Sequence, residues 1–146
     1  MQKATLEERF STALHNSARG WRLAVDRRLK HLGLSQAGWM TVAMIAKAAA
    51  PLSQIELAQR LGIEGATLVA MLDRLARAGL IQRQPSPVDR RVKHIALTPD
   101  GAALYDAVRA EADAVRLELL RGVDPALLRR MTEFLEDLLV HTQALA

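Results

Sequence analysis

Residues 53–101 read SQIELAQRLGIEGATLVAMLDRLARAGLIQRQPSPVDRRVKHIALTPDG. Ser53 and Glu56 have the spacing of a capping box, in which the Ser oxygen takes an orphan helix N–H and the Glu reaches back. Leu57, Ala58 and Leu61 form the apolar face of the short helix they open, and Gly62 permits a tight turn. A second helix starts near Glu64, turns Leu68, Leu72, Leu75 and Ala76 inward, and stops at Gly79. Leu80–Gln84 and Val92–Leu97 read as two strands around the loop 85–91, which carries Asp89-Arg90-Arg91. Pro85 and Pro87 stiffen that loop. Thr98-Pro99 opens a new helix. A helix–turn–helix followed by a charged ribbon suits duplex DNA: the helix fits a major groove and the ribbon reaches the neighbouring minor groove.

Outward from this segment the chain is helical. Leu6, Phe10, Leu14, Ser17, Trp21 and Ala24/Val25 recur at helical spacing and predict a long first helix ending near Leu32-Gly33. Ser35 caps a second helix carrying Trp39, Val42, Ala43 and Ala46, which Pro51 is expected to stop. Leu104, Val108, Val115 and Leu119 share one face of the helix begun at Pro99. After Gly122, Asp124-Pro125 starts a last helix with Leu128, Met131, Leu135 and Leu138 on one face. The expected fold class is mainly α with a small β-hairpin, and residues 1–146 form one domain. Within it a compact module at 34–98 is flanked by long amphipathic helices at 1–33 and 99–146. So small a module cannot cover those apolar faces, so a two-fold homodimer is expected.

Composition narrows the function. The chain has no Cys, which excludes a disulfide framework, a thiolate metal site, a Cys nucleophile and a thiol redox sensor. Its four His residues, His15, His31, His94 and His141, have no metal-ligand spacing, so no metal and no cofactor are expected. Neither a phosphate loop, a nucleophile elbow nor a carboxylate pair is recognisable, so no enzyme activity is expected. No apolar run reaches about 18 residues, and the first eight residues do not resemble a signal peptide, so a cytoplasmic protein without membrane attachment is expected. The net charge of +4 is unevenly placed. Between Arg19 and Lys93 there are 13 Lys/Arg against five Asp/Glu, whereas from Asp100 onward there are five against nine. The middle of the chain is suited to a polyanion and the C-terminal part is not.

Leu57-Ala58-Gln59-Arg60-Leu61-Gly62-Ile63-Glu64, Leu72-Asp73-Arg74-Leu75, Gly79-Leu80-Ile81, Asp89-Arg90-Arg91 and Leu97-Thr98-Pro99, in that order, resemble the MarR family of winged helix–turn–helix regulators. Arg19-x-Trp21-Arg22, Leu34-Ser35-Gln36 with Trp39, and Gly62-Ile63-Glu64 resemble its SlyA-like branch. The resemblance covers nearly the whole chain. It implies a homodimer whose terminal helices interlock while two winged modules grip a pseudo-palindromic operator. It also implies modulation by small molecules, often anionic aromatics.

The candidate DNA-binding residues follow from the motifs and the resemblance together. Asp89-x-Arg91 matches the wing motif: a carboxylate holds a guanidinium fork for a narrow, negative minor groove, and Arg90 adds a second contact. On the recognition helix Ala66, Thr67, Ala70, Met71 and Arg74 are expected opposite Leu68 and Leu72, with Thr67 on a base or phosphate and Arg74 on a phosphate. Many SlyA-like regulators carry a guanine-reading Arg where this chain has Ala70, so base readout is expected to rest on Thr67, methyl contacts and the wing. That departure leaves an alternative, a winged-helix protein-interaction module without operator specificity. Ser53, Gln54 and Lys93 are phosphate-contact candidates, Ser53 chiefly as a cap. Arg19 and Trp39, with His31 nearby in the sequence, match the region of the family's effector cleft, where an Arg beside an indole suits an aromatic carboxylate.

Overall fold

The computed structural model describes residues 3–145. Its elements run α1 (Leu6–Leu29), a 3-10 turn (Lys30–Leu32), α2 (Gln36–Lys47), β1 (Leu52–Ser53), α3 (Gln54–Leu61), α4 (Gly65–Arg77), β2 (Ile81–Pro85), β3 (Lys93–Leu97), α5 (Pro99–Leu119) and α6 (Pro125–Ala144). This is the mainly helical, winged architecture expected. The sheet has one strand more than expected. β1 pairs antiparallel with β3 through Leu52–Ile95 and Ser53–His94, giving the order β1-β3-β2. A two-residue strand has no periodicity to reveal it; tertiary pairing alone makes it. It also explains why α2 ends at Lys47, short of Pro51: the chain turns extended at Ala48 and reaches the sheet in time to bury Leu52.

The backbone divides into two compact units, one reaching to Val115 and one from Arg116. The first holds two cores. Leu57 of α3, Leu68, Met71, Leu72 and Leu75 of α4, Val42 of α2, and Leu52, Ile81 and Ile95 of the sheet fill one. Each Leu, Ile or Val so buried contributes about 1.5–3 kcal/mol relative to exposure. Val25 and Leu29 of α1 and Val108 and Val115 of α5 fill the other, flanked by Trp21, Leu32 and Trp39. Met71 corrects an expectation. It was placed on the outer face of α4 but is 5% exposed. Positions 68, 71, 72 and 75 recur at three- and four-residue intervals, so Met71 completes the buried stripe.

Two junctions fix the wing relative to its surroundings. Thr98 Oγ1 donates to the Gly79 carbonyl at 2.6 Å and accepts from Gly101 N–H at 3.0 Å, so it caps α5 and ties it to the end of α4. Gly101 packs so closely that an added Cβ would collide with the Leu80 carbonyl oxygen. In the second unit, Asp124 caps α6 by accepting from Ala126 and Leu127 N–H groups. Among the described residues of α6 none is buried; Leu128 and Leu138 are half-buried, and Met131 and Leu135 stay 45% and 40% exposed.

Candidate nucleic-acid interface

The wing tip is built from local hydrogen bonds. Ser86 is buried, and its Oγ accepts from Val88 N–H at 3.3 Å and Asp89 N–H at 3.5 Å. Ser86 N–H donates to the Val92 carbonyl and Val92 N–H to the Asp89 carbonyl, which closes the turn. Asp89 then accepts three bonds from Arg91: backbone N–H at 3.0 Å and Nε at 3.1 Å on Oδ1, and Nη2 at 3.0 Å on Oδ2. The carboxylate and guanidinium thus pair fork to fork, as the motif suggested. The side-chain bonds from Arg91 first, and its backbone bond second, hold the Asp89 carboxyl below the usual carboxylate range; the same pair raises Arg91. Arg91 itself projects into solvent, with its side chain 91% exposed. Arg90 and Lys93 are exposed beside it, and neither makes an ion pair among the described residues. Ser86 was not singled out in the sequence, although a Ser at the start of a turn, able to hold backbone N–H groups, is a common local signal.

On α4, Ala66, Thr67, Ala70 and Arg74 are all exposed, on the face away from the buried stripe. Among the described residues Arg74 has no ion-pair partner. Ser53 is the cap of α3: its Oγ accepts from Glu56 N–H at 3.2 Å, and its own N–H donates to Glu56 at 2.8 Å. Those bonds from Ser53, backbone first, lower the Glu56 carboxyl. Gln54, Arg91 and Lys93 line one groove with Ser53 and His94. A further residue joins this region. Arg83 on β2 donates from Nε to Gln54 Oε1 at 2.9 Å and from Nη2 to Asp73 Oδ1 at 2.7 Å, bridging α3 and α4.

Trp39 packs in the α1–α5 core with its indole N–H donating to Asp26 Oδ1 at 3.3 Å. Arg19 stands exposed on α1, and His31 Nδ1 lies 2.8 Å from the Arg28 carbonyl in the 3-10 turn. Trp21 lies half-buried against the same core. Among the described residues no group of three or more His, Asp or Glu could hold a metal ion, and no helix is long and apolar enough to cross a membrane.

Comparison with known proteins agrees with this geometry. A model described as the MarR family matches residues 34–93. The chain is similar to the solved transcriptional regulator PA3341, at 40% identity and a TM-score of 0.87 over 92% of this chain and 98% of that one. It is similar at 25% identity and a TM-score of 0.80 to CouR from Rhodococcus jostii RHA1, solved with p-coumaroyl-CoA bound, over 93% of this chain and 95% of CouR. The apo form of E. coli MarR shares the fold at a TM-score of 0.77 and 23% identity, over 94% of this chain and 99% of that one.

Proposed function

The chain belongs to the MarR family of transcriptional regulators, and from that membership we propose that it is a homodimeric repressor of a pseudo-palindromic operator. The observation that carries this reading is the wing tip, where a surface Arg is oriented by a bidentate carboxylate instead of being left to sample solvent. Such a fork enters a narrow minor groove with little loss of side-chain freedom. The exposed face of α4 lies in the adjacent major groove. There Thr67 reaches a base or phosphate, Ala66 and Ala70 approach thymine methyls, and Arg74 binds a phosphate. Gln54, Arg90 and Lys93 add backbone contacts, while Ser53 shapes the start of α3. The resemblance of Arg19-x-Trp21-Arg22, Leu34-Ser35-Gln36 with Trp39, and Gly62-Ile63-Glu64 to the SlyA-like branch supports placing the chain there.

Fluorescence anisotropy on a labelled duplex spanning the promoter beside its own coding region tests the reading. Binding should weaken steeply with salt and saturate at two chains per site. Salt-independent binding, or binding no tighter than to unrelated duplex, would contradict it and favour a protein-interaction module.

An anionic aromatic effector is part of the same proposal. Arg19 offers an exposed charge, and Trp39 offers indole surface in the neighbouring core. CouR, a structural relative, is solved with an aromatic acyl thioester. A ligand that prefers one spacing of the two recognition helices and an operator that prefers another must weaken each other equally. Titration with salicylate- and benzoate-like compounds, read by Trp fluorescence and operator release, should show saturable binding that Arg19→Ala impairs. Binding unchanged in Arg19→Ala would remove this site from the account.

A further inference from the structure

We infer that Arg83 is a positioning residue for the DNA-binding surface: it orients the Gln54 amide as a phosphate donor and fixes the wing to the recognition helix. The inference rests on the DNA-binding reading above and deepens it. Arg83 stands on β2 opposite Ile95, and its side chain is 27% exposed. It lies within the basic stretch, yet its charge is already matched: Nη2 meets Asp73 Oδ1 of α4 at 2.7 Å. Its Nε meets Gln54 Oε1 of α3 at 2.9 Å. An arginine has donors only, so the atom of Gln54 that faces it must be the carbonyl oxygen. The amide NH2 is thereby left available in the groove that Gln54 shares with Arg91 and Lys93. One planar guanidinium so joins the first helix of the motif, the second helix and the wing. A lysine, with a single ammonium, has no fork to span both partners.

The consequence is specific. Arg83 supports DNA binding without itself meeting a phosphate. A direct phosphate contact contributes about 0.9 to the slope of log affinity against log salt concentration. A neutral donor held by a matched ion pair contributes affinity and no such increment.

The test uses the full chain and the operator duplex recovered by selection from a random pool. In the double variant Asp73→Asn/Arg83→Gln the net charge is unchanged. Operator affinity should fall about three- to tenfold, the effect of one misplaced hydrogen bond, and the salt slope should match the parent. Adding Gln54→Ala should cause no further loss, because its donor is already misdirected. A slope shallower by about 0.9 would make Arg83 a direct phosphate ligand and overturn the inference. Unchanged affinity, or losses additive with Gln54→Ala, would also overturn it. If the double variant melts below the assay temperature, Arg83→Lys, which keeps the charge but has no fork to span both partners, should show the same loss of affinity and no further loss on adding Gln54→Ala, and unchanged or additive losses there would overturn the inference. Arg91→Ala and Lys93→Ala separate the two readings. If they also leave affinity unchanged, the DNA-binding surface itself is misassigned; if they weaken binding while the Arg83 variants do not, only the positioning role fails.

Discussion

Arg91→Ala removes a guanidinium that Asp89 holds through two side-chain bonds, and operator affinity should fall by about tenfold or more while the protein stays folded. Asp89→Ala should act in the same direction but less, since the charge remains and only its orientation is lost. Anisotropy titrations of both variants check this, and an Arg91→Ala protein that binds every duplex like the parent would contradict it. The pair also fixes a pH dependence. The Asp89 carboxyl is lowered in the folded protein, so the pair is fully formed above the ordinary carboxylate range and is lost only as pH falls through the depressed folded value. Binding should therefore show no wing-dependent change across the neutral range. An Asp89→Asn comparison that diverged from the parent only near neutral pH would count against the pair. Asp89 and Arg91 were legible in the sequence because their partnership is local, two residues apart. Arg83 was not, because its partners lie ten and 29 residues away and only the folded chain brings them together.

Helices and strands were legible in proportion to their length and their caps. Ser53-x-x-Glu56, Thr98-Pro99 and Asp124-Pro125 each mark a helix start that the structure contains, because capping chemistry is written in neighbouring residues. The strand Leu52–Ser53 was not legible, and the buried side of Met71 was misread although the three- and four-residue spacing carried it. Gly101 likewise looks unremarkable as a residue in the first turn of a helix. The structure gives it a task, the close approach of α5 to the chain at Leu80. Gly101→Ala should destabilise the protein by about 1–3 kcal/mol through overpacking, although alanine is the better helix former. Leu72→Ala should cost about 2–5 kcal/mol by leaving a cavity between α4 and the sheet. Chemical denaturation measures both. A Gly101→Ala protein as stable as the parent would show that α5 can shift at no cost.

The proposed dimer depends on the terminal helices. α6 leaves Leu127, Met131, Phe134, Leu135 and Leu139 exposed along one side in the single chain, a stripe suited to burial against a second copy. Charged replacements at Leu135 and Leu138 should yield monomer or aggregate in sedimentation, and a dimer that survives both would place the interface elsewhere. A dimer presents two wings and two recognition helices related by a two-fold axis, and a symmetric protein reads a symmetric site. That link between assembly and operator is the centre of the account, and selection of bound duplexes from a random pool tests it most directly. An enriched pseudo-palindrome is expected, its half-sites spaced by about one helical turn or a multiple of it, with enrichment lost in Arg91→Ala. Recovery of no common motif, or of a single asymmetric site bound by one chain, would contradict it.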